Sequence, residues 1–181
     1  LSDNGTMDWT RCEGQRYFMK RAKELGCNRF VLFSNTPPVQ YTLNGRGYSA
    51  NGGNANLKAD CYDDFARYMA EVARHYVDEG YAISHISPVN EPQYNWDGTN
   101  QEGSGWTNNE VASLARELNA QLTMKGLDTD ILLGEAGDWE YLYQVKNDAA
   151  RSNVLSEFFT PGSSAYVGDL EHVKKLICGH S

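Results

Sequence analysis

The sequence has no long apolar run. Nothing in its 181 residues approaches the roughly 20 consecutive apolar residues of a membrane-spanning helix, so no such helix and no membrane partner are expected. It also lacks any block of one charge. Its 16 Lys and Arg are scattered among 24 Asp and Glu, giving a net charge of −8. Without a basic patch, nucleic acid and anionic lipid surfaces are not expected partners. Cysteine is sparse: Cys12, Cys27, Cys61 and Cys178 show no C-x-x-C spacing, which excludes the common zinc sites, and a chain of this size needs no disulfide framework. They read as buried thiols whose pairing the sequence does not give. The Gly- and Asn-rich stretch Leu43–Asn56 is not followed by the helix-opening G-K-[ST] of a phosphate cradle. Asp60, Asp63 and Asp64 lie where a helix starts and favour its dipole, without the spacing or glycine of a calcium loop. No metal and no cofactor are expected. Nor does the chain open on a basic and then apolar leader, since Leu1-Ser2-Asp3-Asn4-Gly5 is a loop.

What is present is a repeating pattern. With 40% hydrophobic residues the chain can bury a core. Asp8 can cap a helix running to about Leu25, with Phe18, Ala22 and Leu25 on one face and Gly26 as the stop. A strand over Asn28–Ser34 follows and halts at Pro37-Pro38. Lys58–Glu79 reads as the strongest helix, its stripe marked by Phe65, Met69, Val72 and Tyr76. After a second strand, Thr107-Asn108-Asn109-Glu110 fits a capping box, and Val111, Leu114, Leu118 and Leu122 carry a helix to Gly126. A third strand spans Asp130–Gly134. Shorter helices fit Trp139–Lys146, Val154–Phe159 and Val167–Leu176, and Ile177–Gly179 begins a fourth strand. Such β/α alternation builds a parallel sheet of the α/β class by right-handed crossovers.

The organising stretch is Ile83–Trp96, I-S-H-I-S-P-V-N-E-P-Q-Y-N-W. Its β-branched first half reads as a strand over Ile83–Val89, and Pro92 stops it by forcing Glu91 out of the α region. This puts a carboxylate at a strand's C-terminal lip, an amide before it and aromatics after it. A carboxyl there can protonate a glycosidic oxygen, the Asn90 amide can bond a sugar hydroxyl, and Tyr94 or Trp96 can stack on a ring. As a bare tripeptide Asn90-Glu91-Pro92 is also a common polar turn. The strand before it, the aromatics after it and the surrounding β/α repeat favour the chemical reading.

In this setting Val89-Asn90-Glu91-Pro92 resembles the acid/base strand of the clan A glycoside hydrolases. The longer run Ser87–Trp96, followed by Gln101-Glu102-Gly103, resembles glycoside hydrolase family 30, near its endo-galactanase and xylanase-like members. The resemblance implies a (β/α)8 barrel and retaining hydrolysis of a β-linked polysaccharide or oligosaccharide. It makes Glu91 the general acid/base on the fourth strand. The four strands then match strands three to six of the family barrel. Residues 1–181 would form a single, incomplete catalytic domain, short of the about 250 residues of a closed barrel. The segment alone would be inactive and aggregation-prone, with the remainder of the barrel as its partner.

The same resemblance puts the nucleophilic Glu on strand seven, beyond these residues. Glu135 also stands at a strand end, and neighbouring strands lie about 4.7–4.9 Å apart, so geometry alone would admit it as the nucleophile. The resemblance implies that it lines the site without attacking. Asn35, in a turn resembling the third-strand terminus, would meet substrate or simply stabilise the turn. His180 would contact sugar, or would be an exposed terminal histidine. His75, His85 and His172 read as structural or solvated. The loop Leu43–Asn56 would wall the cleft or be a mobile surface loop. A secreted or periplasmic protein is implied, because glycan polymers stay outside the cytosol. Two other readings remain: a barrel that binds glycan without hydrolysing it, and a half-barrel that works only when paired with another chain.

Overall fold

The computed structural model describes residues 1–2, 5–48, 51–98, 101–137 and 154–179, with the side chains of 154–156 and 175–179 left aside. Helix α1 (Glu13–Glu24) leads into strand β1 (Phe30–Phe33). Helix α2 (Tyr62–Asp78) and strand β2 (Ile83–Ser87) follow, then α3 (Asn108–Met124) and β3 (Asp130–Ala136), and finally α4 (Val154–Phe159) and β4 (Val173–Gly179). The strands form one parallel sheet in the order β1-β2-β3-β4. Sequential parallel order with a helix before each strand is the architecture of a partial (β/α)8 barrel.

The core lies between the sheet and helices α2 and α3. Leu32, Ile86 and Ile131 stand in register across three strands and meet Phe65, Ala66, Met69, Ala70 and Ala73 of α2 and Val111, Leu114, Leu118 and Leu122 of α3. The stripe expected on α3 is buried in full. On α2 Val72 and Tyr76 are only half-buried, and alanines 66, 70 and 73 take the inner face, where their small side chains let α3 come close. The opposite face of the sheet is barer: Val31 is 50% and Phe33 48% exposed.

Three expectations need correction. The first concerns α1, which starts at Glu13 behind a left-handed Cys12 rather than at Asp8. The Asp8 carboxylate is taken up by its own turn, accepting from the Thr10 amide (3.0 Å), the Thr10 hydroxyl (2.6 Å) and Arg11 Nε (3.0 Å), and these donors hold its pKa down at about 2. The face of α1 that turns inward runs through half-buried Arg16, Met19 and Ala22, leaving Phe18 72% and Leu25 79% exposed. Second, Val167–Leu176 is not a helix. Turns lie at residues 168–169 and 171–172, and Val173–Gly179 is strand, because the free edge of β3 offers backbone partners: the Ile131 amide donates to His172 O at 2.8 Å. Third, Cys12 and Cys27 are exposed free thiols and Cys61 is half-buried. The helix expected over Trp139–Lys146 lies outside the described residues.

Helix α3 begins as the sequence reads, with Thr107 Oγ1 accepting from the Glu110 amide (3.3 Å) while Glu110 Oε2 accepts from the Thr107 amide (2.8 Å). The same carboxylate oxygen also accepts from the Ala55 amide at 3.1 Å, tying the loop before α2 to the start of α3. Losing the cap by Thr107→Ala is expected to lower the unfolding free energy by about 1 kcal/mol in urea titrations. Glu110→Ala is expected to lower it further, because it also releases Ala55. A second check uses Tyr62, half-buried and edge-on to Trp106. Burial, then the nearby Glu110 charge, pushes its phenol up to about 12. The fold therefore favours the neutral phenol. That contribution is complete below the unfolded pKa of about 10 and is lost as pH rises through about 12. Tyr62→Phe should flatten the alkaline fall in stability over that window.

Candidate active site

The strand ends build the site. Beyond β1 the Ser34 amide donates to Ser87 O at 3.0 Å, and exposed Asn35 follows. Beyond β2 the chain curls: Ser87 Oγ donates to Val89 O at 3.3 Å, and Val89 and Asn90 are buried. Glu91 then adopts a left-handed backbone with φ 40°, which is uncommon outside glycine. Its amide donates to Glu135 O (2.9 Å), and its carbonyl accepts from the Tyr94 amide (2.9 Å) and the Trp96 indole N–H (3.2 Å). These bonds hold a conformation that costs about 1–3 kcal/mol, and they hold it at the carboxylate the resemblance makes the acid/base candidate.

Glu135 occupies a matching irregularity on the next strand. It belongs to β3 rather than following it, is 5% exposed, and has φ 20° directly after Gly134 at φ 102°. The register of β3 against β4 shifts between Leu133 and Ala136, so a bulge re-aims the strand end there. Half-buried Glu91 lies against the residue just past this bulge. A Cβ placed on Gly137 would stand 2.9 Å from Glu91 Oε1 and 3.1 Å from Gln93 Nε2. The lip thus brings together Asn90, Glu91, Gln93, Glu135 and Gly137.

The two aromatics divide their work. Tyr94 is 49% exposed and keeps a ring available at the lip. Trp96 is 2% exposed, meets Tyr94 edge-on at 4.9 Å and props the Glu91 carbonyl, so it supports the Glu91 backbone from beneath and offers no open ring face. His180 lies outside the described residues. His172, far from the lip, is buried with Nδ1 2.9 Å from Thr129 O and Nε2 3.2 Å from Thr123 Oγ1, a structural histidine.

The described residues of the Gly- and Asn-rich loop are tied to their surroundings by several hydrogen bonds. Tyr48 bridges to Gly103, the Gly103 amide donates to Gly47 O (3.1 Å), and the Gly52 amide to Asp97 Oδ2 (2.9 Å). Buried Asn56 gathers its turns, its Nδ2 donating to Asn44 Oδ1 (2.8 Å) and to the carbonyls of Arg46 and Tyr48 (each 3.3 Å). Sequence reasoning assigned no role to Gln93, Gly103 or Gly137, whose roles depend on partners far along the chain. Gln93 and Gly103 stood in the stretch that carries the family resemblance, and Gly137 stands two residues past Glu135. Two open clefts, one beside Lys23 and Tyr81 and one beside Asp128 and His172, sit at the N-terminal ends of the strands, away from the lip. Among the described residues no group of three or more His, Cys, Asp or Glu could hold a metal ion, and no helix is long and apolar enough to cross a membrane.

Comparison with known proteins bears on this arrangement. The family model described as O-glycosyl hydrolase family 30 matches residues 1–181. An endo-β-1,6-galactanase of Hypocrea rufa is 28% identical over 142 residues, covering 76% of this chain and 29% of the galactanase. The crystal structure of a conserved exported protein from Bacteroides fragilis superposes with a TM-score of 0.94 at 32% identity, over 99% of this chain and 37% of that one. The catalytic domain of a family 30 xylanase C from Talaromyces cellulolyticus shares the fold at 22% identity, with a TM-score of 0.60 over 75% of this chain and 32% of the xylanase. The chain therefore spans 29–37% of the length of these relatives.

The support beneath Glu91 is open to test at Gly103. A Cβ there would lie 2.2 Å from the Trp96 ring, and Gly103 has no left-handed backbone that would call for glycine. Gly103→Ala should therefore overpack the loop, lowering the unfolding free energy by about 1–3 kcal/mol and shifting Trp96 fluorescence. An unchanged unfolding midpoint would show that Trp96 does not need this contact.

Proposed function

The chain belongs to O-glycosyl hydrolase family 30, and from that footing we propose that it is the acid/base-bearing portion of a retaining, endo-acting glycoside hydrolase. The observation that carries the reading is Glu91: a carboxylate at the C-terminal lip of a parallel sheet, in a left-handed backbone anchored to the next strand. Function in such barrels gathers at that lip. Glu91 donates its proton to the glycosidic oxygen as the C–O bond breaks and a second carboxylate attacks the anomeric carbon. Glu91, now ionised, then takes a proton from the water that releases the glycosyl-enzyme. Retention needs the two carboxyls about 5–5.5 Å apart, and the attacking one comes from a later strand of the full barrel.

In this reading Asn90 and Asn35 bond sugar hydroxyls, Tyr94 stacks on a ring, and His180 adds a sugar contact. Trp96 serves by holding Glu91. Glu135 lines the site beside the acid. The substrate is a β-linked polysaccharide. The galactanase of H. rufa and the xylanase of T. cellulolyticus make β-1,6-galactan and xylan the first polymers to try. The full protein acts outside the cytosol, in keeping with the exported B. fragilis relative.

The test is Glu91→Gln in the full-length protein, which removes the proton and keeps the shape. Hydrolysis of the cleaved polymer should fall by about 10²–10⁴-fold. An aryl glycoside with a good leaving group needs little protonation, so its first step should be spared and its glycosyl-enzyme should accumulate. Azide, which needs no deprotonation, should restore turnover and yield a β-glycosyl azide. Glu135→Gln should show neither the sparing nor the rescue. Near-normal polymer hydrolysis by Glu91→Gln would sink the assignment, and a wild type that binds glycan without cleaving it would leave a binding barrel in its place.

A further inference from the structure

We propose that Gly137 is a positioning residue for Glu91, its missing side chain forming the notch in which the acid's carboxyl rests; this inference stands on the acid/base reading above. The glycine is not there for its backbone. Gly134, three residues earlier, has φ 102°, whereas Gly137 is absent from the left-handed glycines, so its φ does not call for glycine. What alanine would lack is room. Its Cβ would stand 2.9 Å from Glu91 Oε1, 3.0 Å from Glu91 Cδ and 3.1 Å from Gln93 Nε2, all nearer than the roughly 3.5–4.0 Å of a relaxed carbon contact.

Something must move, and the structure says which part. The Glu91 backbone is held by the bonds to Glu135 O, the Tyr94 amide and the Trp96 indole, so it cannot retreat. The atoms in the way are the ends of two side chains, the Glu91 carboxyl and the Gln93 amide, and these give before backbone does. A methyl at 137 therefore leaves the fold intact and turns the acid away from the atom it must protonate. A misplacement of about 1 Å at a reacting group is worth on the order of 10²-fold in rate. The loss falls on proton transfer and not on sugar binding, because the contacts assigned to Asn90, Asn35 and Tyr94 are untouched.

The experiment is Gly137→Ala in the full-length enzyme, alone and combined with Glu91→Gln. The single variant should keep the wild-type unfolding midpoint. On the cleaved polymer its kcat should fall about 10–100-fold with KM little changed, while the first step on an aryl glycoside with a good leaving group stays near wild type. In the Glu91→Gln background the same change should cost nothing further, since there is no proton left to misplace. Wild-type kcat, an equal loss on both substrates, a loss that persists beside Glu91→Gln, or failure to fold would each overturn the proposal. The two readings fail separately. If Glu91→Gln itself shows no selective loss, the acid/base assignment falls; if it does and Gly137→Ala is silent, only the role of Gly137 falls.

Discussion

The lip of this sheet depends on how the backbone of one residue is held on both sides. The regular pairing of β2 with β3 ends early, at His85 with Asp130 and Ile86 with Ile131. The contact is renewed further on, where the Glu91 amide donates to Glu135 O at 2.9 Å. With the carbonyl of the same residue taking two more donors, three hydrogen bonds converge on a left-handed glutamate. Each contributes about 0.5–1.5 kcal/mol net, so together they offset a backbone strain of about 1–3 kcal/mol. Remove any one and the peptide can relax, and the carboxyl at its end moves with it.

That anchor is itself supported from the side. Trp96 reaches the Glu91 carbonyl only because Gly103 leaves space against its ring, and Gly103 is held by Gly47 and Tyr48 from the loop before α2. Glu110 closes the circuit, serving the first turn of α3 and the Ala55 amide with one carboxylate oxygen. Residues spread from Gly47 to Gly137 therefore bear on a single side chain. Substitutions in the loops should act on Glu91 through its carbonyl.

Much of the fold was legible because local and long-range signals agree. The capping box at Thr107 and Glu110, the 3.6-residue stripe of α3 and the bounds of α4 are properties of short segments, and the structure keeps all three. Where a segment admits two periods, its neighbours decide. The Leu170, Val173 and Leu176 spacing fits a helix, yet Val173 pairs with Ile131 because β3 had an edge to fill. On α1 the larger apolar residues misled: Phe18 and Leu25 are exposed, and Met19 packs on the core. At the site the sequence marks Glu91 by its strand and its proline. It cannot show that Trp96 is buried or that Gly137 faces Glu91, since both facts arise from strands and loops closing in space.

The two faces of the sheet explain from which side the Glu91 carboxylate is positioned. On one, Leu32, Ile86, Ile131 and Leu133 are covered by helices α2 and α3, with the last three essentially without solvent contact. On the other, Val31, His85 and Asp130 share a layer across three strands, and Val31 and Phe33 are about half exposed. In a closed (β/α)8 barrel that second face is interior, filled by layers of side chains from alternate strands. Within these residues the strands take their spacing from the helix side. The Glu91–Glu135 bond needs β2 and β3 at hydrogen-bonding distance, and it is the packing of α2 on α3 behind Ile86 and Ile131 that keeps them there. The site is therefore set from the outside inward: helices fix strands, strands fix the Glu91 peptide, and the peptide, with the notch at Gly137, fixes the carboxyl.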